Sequence, residues 1–206
     1  MQLPSYNGFI DENSGKFDFA AFMDVDEFLC LKKHRSVEEF LEGYQDAYGV
    51  CVNWRFFGDS GLSSVQDGDY SLLGRFKKCQ DRLDRHVKTI LNFKKCGNMF
   101  HFVNPHFVDA SVRYDVMVDV DRTCFVHGPW NYGCASETAQ INHYFSKTIQ
   151  EFRELKMKRG KADTVKTHPL YNYFESQFQE HNHNEIEDRT ALDFWTKSGR
   201  SAPEGV

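Results

Sequence analysis

No apolar run in this chain approaches the ~20 residues that a helix needs to cross a bilayer, and the mean hydropathy is −0.60. The opening Met1-Gln-Leu-Pro-Ser5 has neither a basic start nor an apolar stretch, so it does not read as a secretory leader. The six cysteines are scattered: Cys30, Cys51, Cys79, Cys96, Cys124 and Cys134 form no C-x-x-C pair. That spacing excludes a zinc ribbon and a disulfide-stapled mini-scaffold. Cys30 and Cys51 fall in apolar segments and read as small buried hydrophobes. A reducing compartment is the default, with an oxidising lumen left open. Positive charge is in the minority, 25 Lys and Arg against 30 Asp and Glu, and the net charge of −5 argues against a dedicated nucleic-acid binder. There are no repeats and no low-complexity segments. What remains is a soluble globular chain of 206 residues, 40% hydrophobic and unusually rich in Phe, with a sizeable core within reach.

The first strong element is Phe17-Asp-Phe-Ala-Ala-Phe-Met23, which stops at Asp24-Val-Asp-Glu27. A short apolar run ended by three acids predicts a buried strand with carboxylates at its C-terminal end, where ligands bind in open α/β sheets. Met1–Gly15 reads as turn-like. Ser36-Val-Glu-Glu39 is a capping box, and Phe40, Leu41, Tyr44 and Ala47 extend a helical stripe toward Gly49. Val50–Phe56 predicts a second strand running into the glycine-flanked loop Phe57–Gly61. A short helix follows at about Tyr70–Cys79, then a strand over Val87–Phe93. Cys96–Trp130 is irregular and rich in aromatics and His. Thr138–Phe145 reads as a strand, and Thr148-Ile-Gln-Glu151 as a second capping box, its helix closed by Gly160. The last third is polar, with a helix near Leu170–Gln179 and a frayed tail after Trp195. Strands alternating with helices make the class α/β.

Asp24 and Asp26 form the sharpest local feature. In an extended segment the alternation puts both carboxylates on one side and Val25 on the other, toward the core. Paired carboxylates need a cation or a hydrogen-bond network to offset their repulsion, and oxygen ligands of this kind suit Mg²⁺ or Mn²⁺ that in turn holds phosphates. As a bare pattern the pair is weak, since acids often mark a solvated strand end. A second D-x-D at Asp119-Val-Asp-Arg-Thr123, after Tyr114–Val118, matches the nucleophile loop of haloacid-dehalogenase-like phosphatases. Too little chain follows it for the rest of such a domain, and its only adjacent acids, Glu187 and Asp188, fall in a polar, helical tail, so it reads as a loop or turn. Among the histidines His106, His127 and His143, the last stands out because it lies between a strand and a capped helix; single histidines are more often structural. His181-Asn-His183 reads as a solvated loop. Basic residues cluster at Arg75–Lys95 and at Lys147–Lys166, either as phosphate or membrane-surface contacts or as exposed helix faces.

Six ordered segments carry a resemblance: Phe22-Met-Asp-Val-Asp-Glu-Phe-Leu29, Val52-Asn-Trp-Arg-Phe-Phe-Gly-Asp-Ser-Gly61, Val87-Lys-Thr-Ile90, Asn104-Pro-His-Phe107, Val126-His-Gly128 and Ile141-Asn-His-Tyr-Phe-Ser-Lys147. Together, over roughly Phe17–Asp163, the chain resembles glycosyltransferase family 92 and the related family 2-like proteins. The resemblance implies a GT-A-like (Rossmann-like) mixed sheet flanked by helices, and an enzyme that moves a hexose from a nucleotide-sugar donor, UDP-sugar favoured, to a glycan or lipid-linked acceptor, with inversion. It implies Mn²⁺ or Mg²⁺ held by Asp24 and Asp26, with His143 as a further ligand, and Glu27 supporting the loop or a sugar hydroxyl. Lys147 or a residue of the Arg75–Lys95 cluster would neutralise the diphosphate. Trp54, Arg55, Phe57, Ser60, Gly61, His106 and His127 would line the substrates, Trp54 and Phe57 either stacking on a sugar or lying in the core. Asp59 would be the base that takes the acceptor's proton.

Only 23 residues precede Asp24, where a GT-A domain places its nucleotide-binding half. The chain therefore reads as an N-terminally truncated form: the C-terminal two-thirds of such a domain over residues 1–165, then a helical extension and tail over 166–206. The alternatives are an inactive homologue serving as a carbohydrate- or partner-binding module, and a metal-dependent phosphohydrolase built on Asp24 and Asp26. The cytoplasm is favoured, with at most peripheral contact to the inner membrane; a truncated Golgi-lumen enzyme has the same appearance.

Overall fold

The computed structural model describes residues 2–65, 71–110, 117–133, 137–161, 164 and 166–197. They divide into two compact units: Met1–Trp54 with Leu83–Ile141, and Arg55–Arg82 with Asn142–Val206. The fold is mixed α/β, as expected. Its sheet combines parallel and antiparallel strands and has helices at its flanks, consistent with a GT-A-like fold.

The first unit begins with α1 (Gln2–Asn13), where a turn-like segment was expected. Pro4 is tolerated because it lies in the first turn, where its missing N–H leaves no bond unmade. The helix is hard to read because Ile10 is its one fully buried residue. Tertiary contacts hold it instead. The Asn7 amide clamps Phe102 from both sides, accepting from its backbone N at 2.8 Å and donating to its carbonyl at 3.1 Å. Tyr6 stacks on Phe22 with centroids 4.4 Å apart, and Phe22 meets Phe102 edge-on at 5.2 Å.

Strand β1 (Phe19–Ala21) is shorter than the Phe17–Met23 run, because Phe22 leaves the sheet to join that aromatic cluster. After a turn come β2 (Glu27–Leu31), α2 (Val37–Glu42) and β3 (Gly49–Phe56). The α2 helix ends at Glu42, short of the expected Gly49, but starts as expected, with Ser36 accepting from the Glu39 backbone N at 3.2 Å. Then follow α3 (Leu72–Arg75), β4 (Lys78–Cys79), β5 (Val87–Asn92), α4 (Phe93–Cys96), β6 (Met117–Asp119) and β7 (Ala139–His143). The main sheet runs β1-β5-β3-β7-β2, with β6 parallel to the start of β3. Gly49 is required there: a Cβ would come within 2.7 Å of the Met117 sulfur and 2.8 Å of the Ile90 carbonyl. Cys51, Val87, Leu91, Phe93, Phe100, Phe102, Phe107 and Met117 form one apolar core. Cys30 and Cys51 are buried as expected. Tyr70, Tyr114, Cys134 and Asp163 lie outside the described residues.

In the second unit Phe57, Phe76, Cys79 and Tyr144 make a smaller core. The predicted capping box at Thr148 and Glu151 is complete and opens α5 (Ile149–Glu151), which continues into a π-helix over Phe152–Met157. Glu151 also takes both arms of the Arg75 guanidinium at 2.9 and 2.8 Å, so this member of the basic cluster is buried rather than exposed. Beyond lie α6 (Glu175–His181), β8 (Ile186–Glu187) and α7 (Thr190–Lys197). Glu187 is thus in a strand paired with β4, not in a helix; α7 ends at Lys197, and the rest of the tail expected to fray after Trp195 lies outside the described residues.

The second D-x-D is a turn, as its sequence context suggested. Asp119 is fully buried, and its carboxylate accepts from the backbone N of Asp121, Thr123 and Cys124, the Thr123 hydroxyl and the Cys124 thiol. Burial alone would raise its pKa, but the bonds from Cys124 and Thr123 outweigh that and hold it below the ordinary value. Asp119→Ala orphans these donors at once and should cost about 3 kcal/mol in urea denaturation. An unchanged unfolding midpoint would show that the turn does not depend on this carboxylate.

Candidate active site

The turn between β1 and β2 carries the acids. Asp24 and Asp26 do not alternate along a strand: the Glu27 backbone N donates to the Asp24 carbonyl at 3.0 Å, closing a turn. Val25 is consequently not in the core but 89% exposed, while Asp26 and Glu27 are buried. The physical reason is the early end of β1, which removes the two-residue alternation on which the expectation rested.

Lys88, the second residue of β5, is the organising cation. Its side chain is 1% exposed, and its Nζ lies 3.1 Å from Asp24 Oδ2 and 3.3 Å from Glu27 Oε2. The same Glu27 oxygen accepts from the Asp24 backbone N at 3.1 Å, so one carboxylate locks both the turn and the lysine. On its exposed side, Asp24 Oδ1 accepts from the Gln2 amide at 3.0 Å. The other Glu27 oxygen, Oε1, is buried and has no hydrogen-bond partner among the described residues. Burial pushes the Glu27 carboxyl up to about 7; Lys88 offsets part of this and Asp24 adds to it. Burial would lower the Lys88 pKa, yet Glu27 and Asp24 raise it above its ordinary value, so it stays protonated.

Aromatic and imidazole rings flank the lysine. Trp54, at the end of this unit's part of β3, has its ring 6.0 Å from Lys88 Nζ, and His86 stacks on it at 5.2 Å. His106 packs edge-on to Trp54 at 4.8 Å and its Nδ1 lies 3.1 Å from the Val87 carbonyl. A carbonyl only accepts, so Nδ1 carries the proton and Nε2 is left as an acceptor. Burial, reinforced by Lys88 and His86, pushes the His106 pKa down to about 4, so the ring is neutral at physiological pH. His86 in turn has its Nδ1 2.6 Å from Asp84 Oδ1.

The structure therefore brings Asp24, Glu27, Trp54 and His106 of the expected set around one lysine, with Asp26 in the same turn. Arg55, Phe57, Asp59, Ser60, Gly61, His143 and Lys147 belong to the second unit, and His127 lies on an exposed loop of the first. Phe57 is fully buried in its unit's core and presents no face to a sugar. His143 is sandwiched against Phe56, with Phe145 edge-on. Arg55 pairs with Asp188 at 3.5 Å. Asp59 accepts from Gly61 N and the Asn184 amide on Oδ1 and from the Asn182 amide on Oδ2, while Ser60 Oγ accepts from Lys77 N and Lys78 N. These bonds hold the loop with Ser60 and Gly61 at positive φ. The sequence reading missed the roles of Lys88, His86 and Gln2. The available signal was Lys88 itself, a lone charge inside the apolar run Val87–Leu91.

Among the described residues, no group of three or more His, Cys, Asp or Glu side chains is already gathered as a metal site. The turn is nevertheless acid-rich: Asp24 and Glu27 face a single lysine, Asp26 lies in the same turn, and one buried oxygen of Glu27 is unsatisfied among the described residues. That composition suits a hard cation whose remaining ligands come from a phosphate and water. The family model for Glycosyltransferase family 92 matches residues 12–194, nearly the whole chain. The chain belongs to glycosyltransferase family 92, and it is accordingly a glycosyltransferase, an enzyme with a sugar donor and an acceptor as partners. No curated protein matches it.

Two outcomes follow from the lysine. Lys88→Met leaves Glu27 and Asp24 without their cation and should cost about 3–5 kcal/mol at pH 8, with Glu27→Gln in the same chain restoring a large part; an equal loss in single and double variants contradicts the pairing. Because the folded-state pKa of Glu27 is raised, the stability its proton confers is fully present below the ordinary carboxyl value and lost as pH rises through about 7. Thermal denaturation of Glu27→Gln should therefore show a smaller loss than the parent between about pH 5 and 8.

Proposed function

We propose that this glycosyltransferase is metal-dependent and transfers a hexose from a nucleotide-sugar donor, UDP-linked in preference to GDP-linked, to a glycan or lipid-linked acceptor with inversion. The observation that carries the reading is the buried Glu27 Oε1, unsatisfied among the described residues, in an acidic turn where Asp24 and Glu27 share one lysine. A buried acceptor without a donor costs free energy unless a ligand completes it.

Asp24 and Asp26 would hold Mn²⁺ or Mg²⁺. When bound, the ion supplies positive charge to the leaving diphosphate. The chain's own residues do the rest. Glu27 fixes the turn through the Asp24 N–H, so the carboxylates are aimed before the donor arrives. Lys88 keeps them from repelling one another and cannot leave, being buried between them. His106 offers a neutral Nε2 acceptor suited to a sugar or ribose hydroxyl. Trp54 walls this side of the site. The inverting displacement needs one group to take the acceptor's proton. Asp59 remains the candidate, since three N–H donors leave it one of about four lone-pair positions.

Calorimetry of the chain with UDP and then GDP, each with and without Mn²⁺, tests this. UDP binding that requires Mn²⁺ is expected, and Asp26→Asn should weaken it at least about tenfold while leaving thermal stability near the parent's, since the exchange removes charge but little volume. Metal-independent UDP binding, or Mn²⁺-dependent binding unchanged in Asp26→Asn, contradicts the assignment.

A further inference from the structure

The first unit displays a second feature that the carboxylate turn does not use. Its loop 124–133 lines an open cavity of about 420 Å³ and holds three large aromatic side chains out of the core. Phe125 is 50% exposed, Trp130 46% and Tyr132 72%. Such surface ordinarily carries a large share of core or interface energy, so a cluster of it left in solvent marks a binding surface.

The loop is not slack. Its entry is the Asp119 turn described above. Asn131 is buried, donates from its amide to Asn53 Oδ1 at 2.9 Å and accepts from Gly133 N at 3.0 Å. Val87 N donates to the Pro129 carbonyl at 3.1 Å and Asn131 N to the Arg85 carbonyl at 2.7 Å, tying the loop on both sides of Trp130 to the start of β5 and the segment that leads into it. The Arg85 guanidinium lies 5.5 Å from the Trp130 ring centroid and 5.8 Å from that of Tyr132. Among the described residues it makes no ion pair, so its N–H groups remain available beside both rings. Rigid, exposed indole and phenol faces next to unengaged donors match a pyranose, which has an apolar C–H face and a hydroxyl-rich edge. The platform is also continuous with the candidate active site. His86 meets Trp130 edge-on at 6.2 Å and stacks on Trp54, the ring beside Lys88.

We infer that Trp130 and Tyr132, with Arg85, form the subsite that binds a pyranose ring of the acceptor glycan. The inference rests on the glycosyltransferase reading and adds to it where the acceptor lies. The preorganised rings hold the sugar by stacking, and Arg85 selects its orientation through hydroxyl contacts.

A glycan array probed with the full chain, followed by tryptophan-fluorescence titration of the strongest oligosaccharide, tests it. The parent is expected to bind. Trp130→Ala should weaken binding at least about tenfold and Tyr132→Ala several-fold, with Trp130→Phe retaining most of it. Mn²⁺–UDP binding, measured separately, should be unchanged in Trp130→Ala, showing that the variant is folded. Glycan binding by Trp130→Ala equal to the parent's, or no binding by the parent to any glycan on the array, overturns the inference. Loss of Mn²⁺–UDP binding in the parent with glycan binding intact would sink the donor-site reading and leave this one standing.

Discussion

A buried lysine is tolerable only where carboxylates meet it, and Lys88 makes that constraint the centre of the first unit. Its ammonium is held by Asp24 and Glu27, and for the buried Glu27 carboxylate it is the charge that offsets part of the cost of burial. The pairing fixes the turn between β1 and β2 and presents the acids from one place, where the proposed reading puts a ligand-borne cation. The Trp54 ring lies beside the same ammonium, with His86 and His106 packed on that ring, and the low pKa of His106 follows from burial with that positive charge alongside.

Around this centre the sheet supplies rigidity rather than chemistry. Asn92 donates from its amide to the carbonyls of Tyr44, Gln45 and Ala47 and so closes the connection into β3. Asn53 and Asn131 lock β3 to the aromatic loop. These buried amides supply partners for backbone groups that would otherwise lack them, and they tie the connection into β3 and the aromatic loop to β3 and β5. The second unit uses the same device: Asn182 and Asn184 hold the Asp59 loop, and Glu151 joins its capping box to Arg75.

Local chemistry was the legible part of the sequence. The caps at Ser36 and Thr148, the strands at Gly49–Phe56 and Val87–Asn92, and the turn at Asp119 depend on residues a few positions apart, and each was readable from them. Helix α1 was not, because Asn7, Tyr6 and Ile10 are held by residues far along the chain. The acidic motif was found, but its geometry was misread, since Phe22 leaves the strand for an aromatic partner at position 102. Lys88 carries no signal of its role until Asp24 and Glu27 are seen beside it. Trp130 and Tyr132 looked like further aromatics in an irregular stretch until their exposure set them apart from the core. Glycosyltransferase membership was legible from six ordered segments, whereas the placing of each side chain within them depended on long-range packing.

The most direct measurement of the central claim is paramagnetic broadening of the protein's NMR spectrum by Mn²⁺ in the presence of UDP. If the acidic turn takes the cation, the amide signals of Asp24–Glu27 and the indole signal of Trp54 should vanish at substoichiometric Mn²⁺ and return when excess Mg²⁺ displaces it. Sharp signals at all of these positions, with binding saturated, would contradict the account.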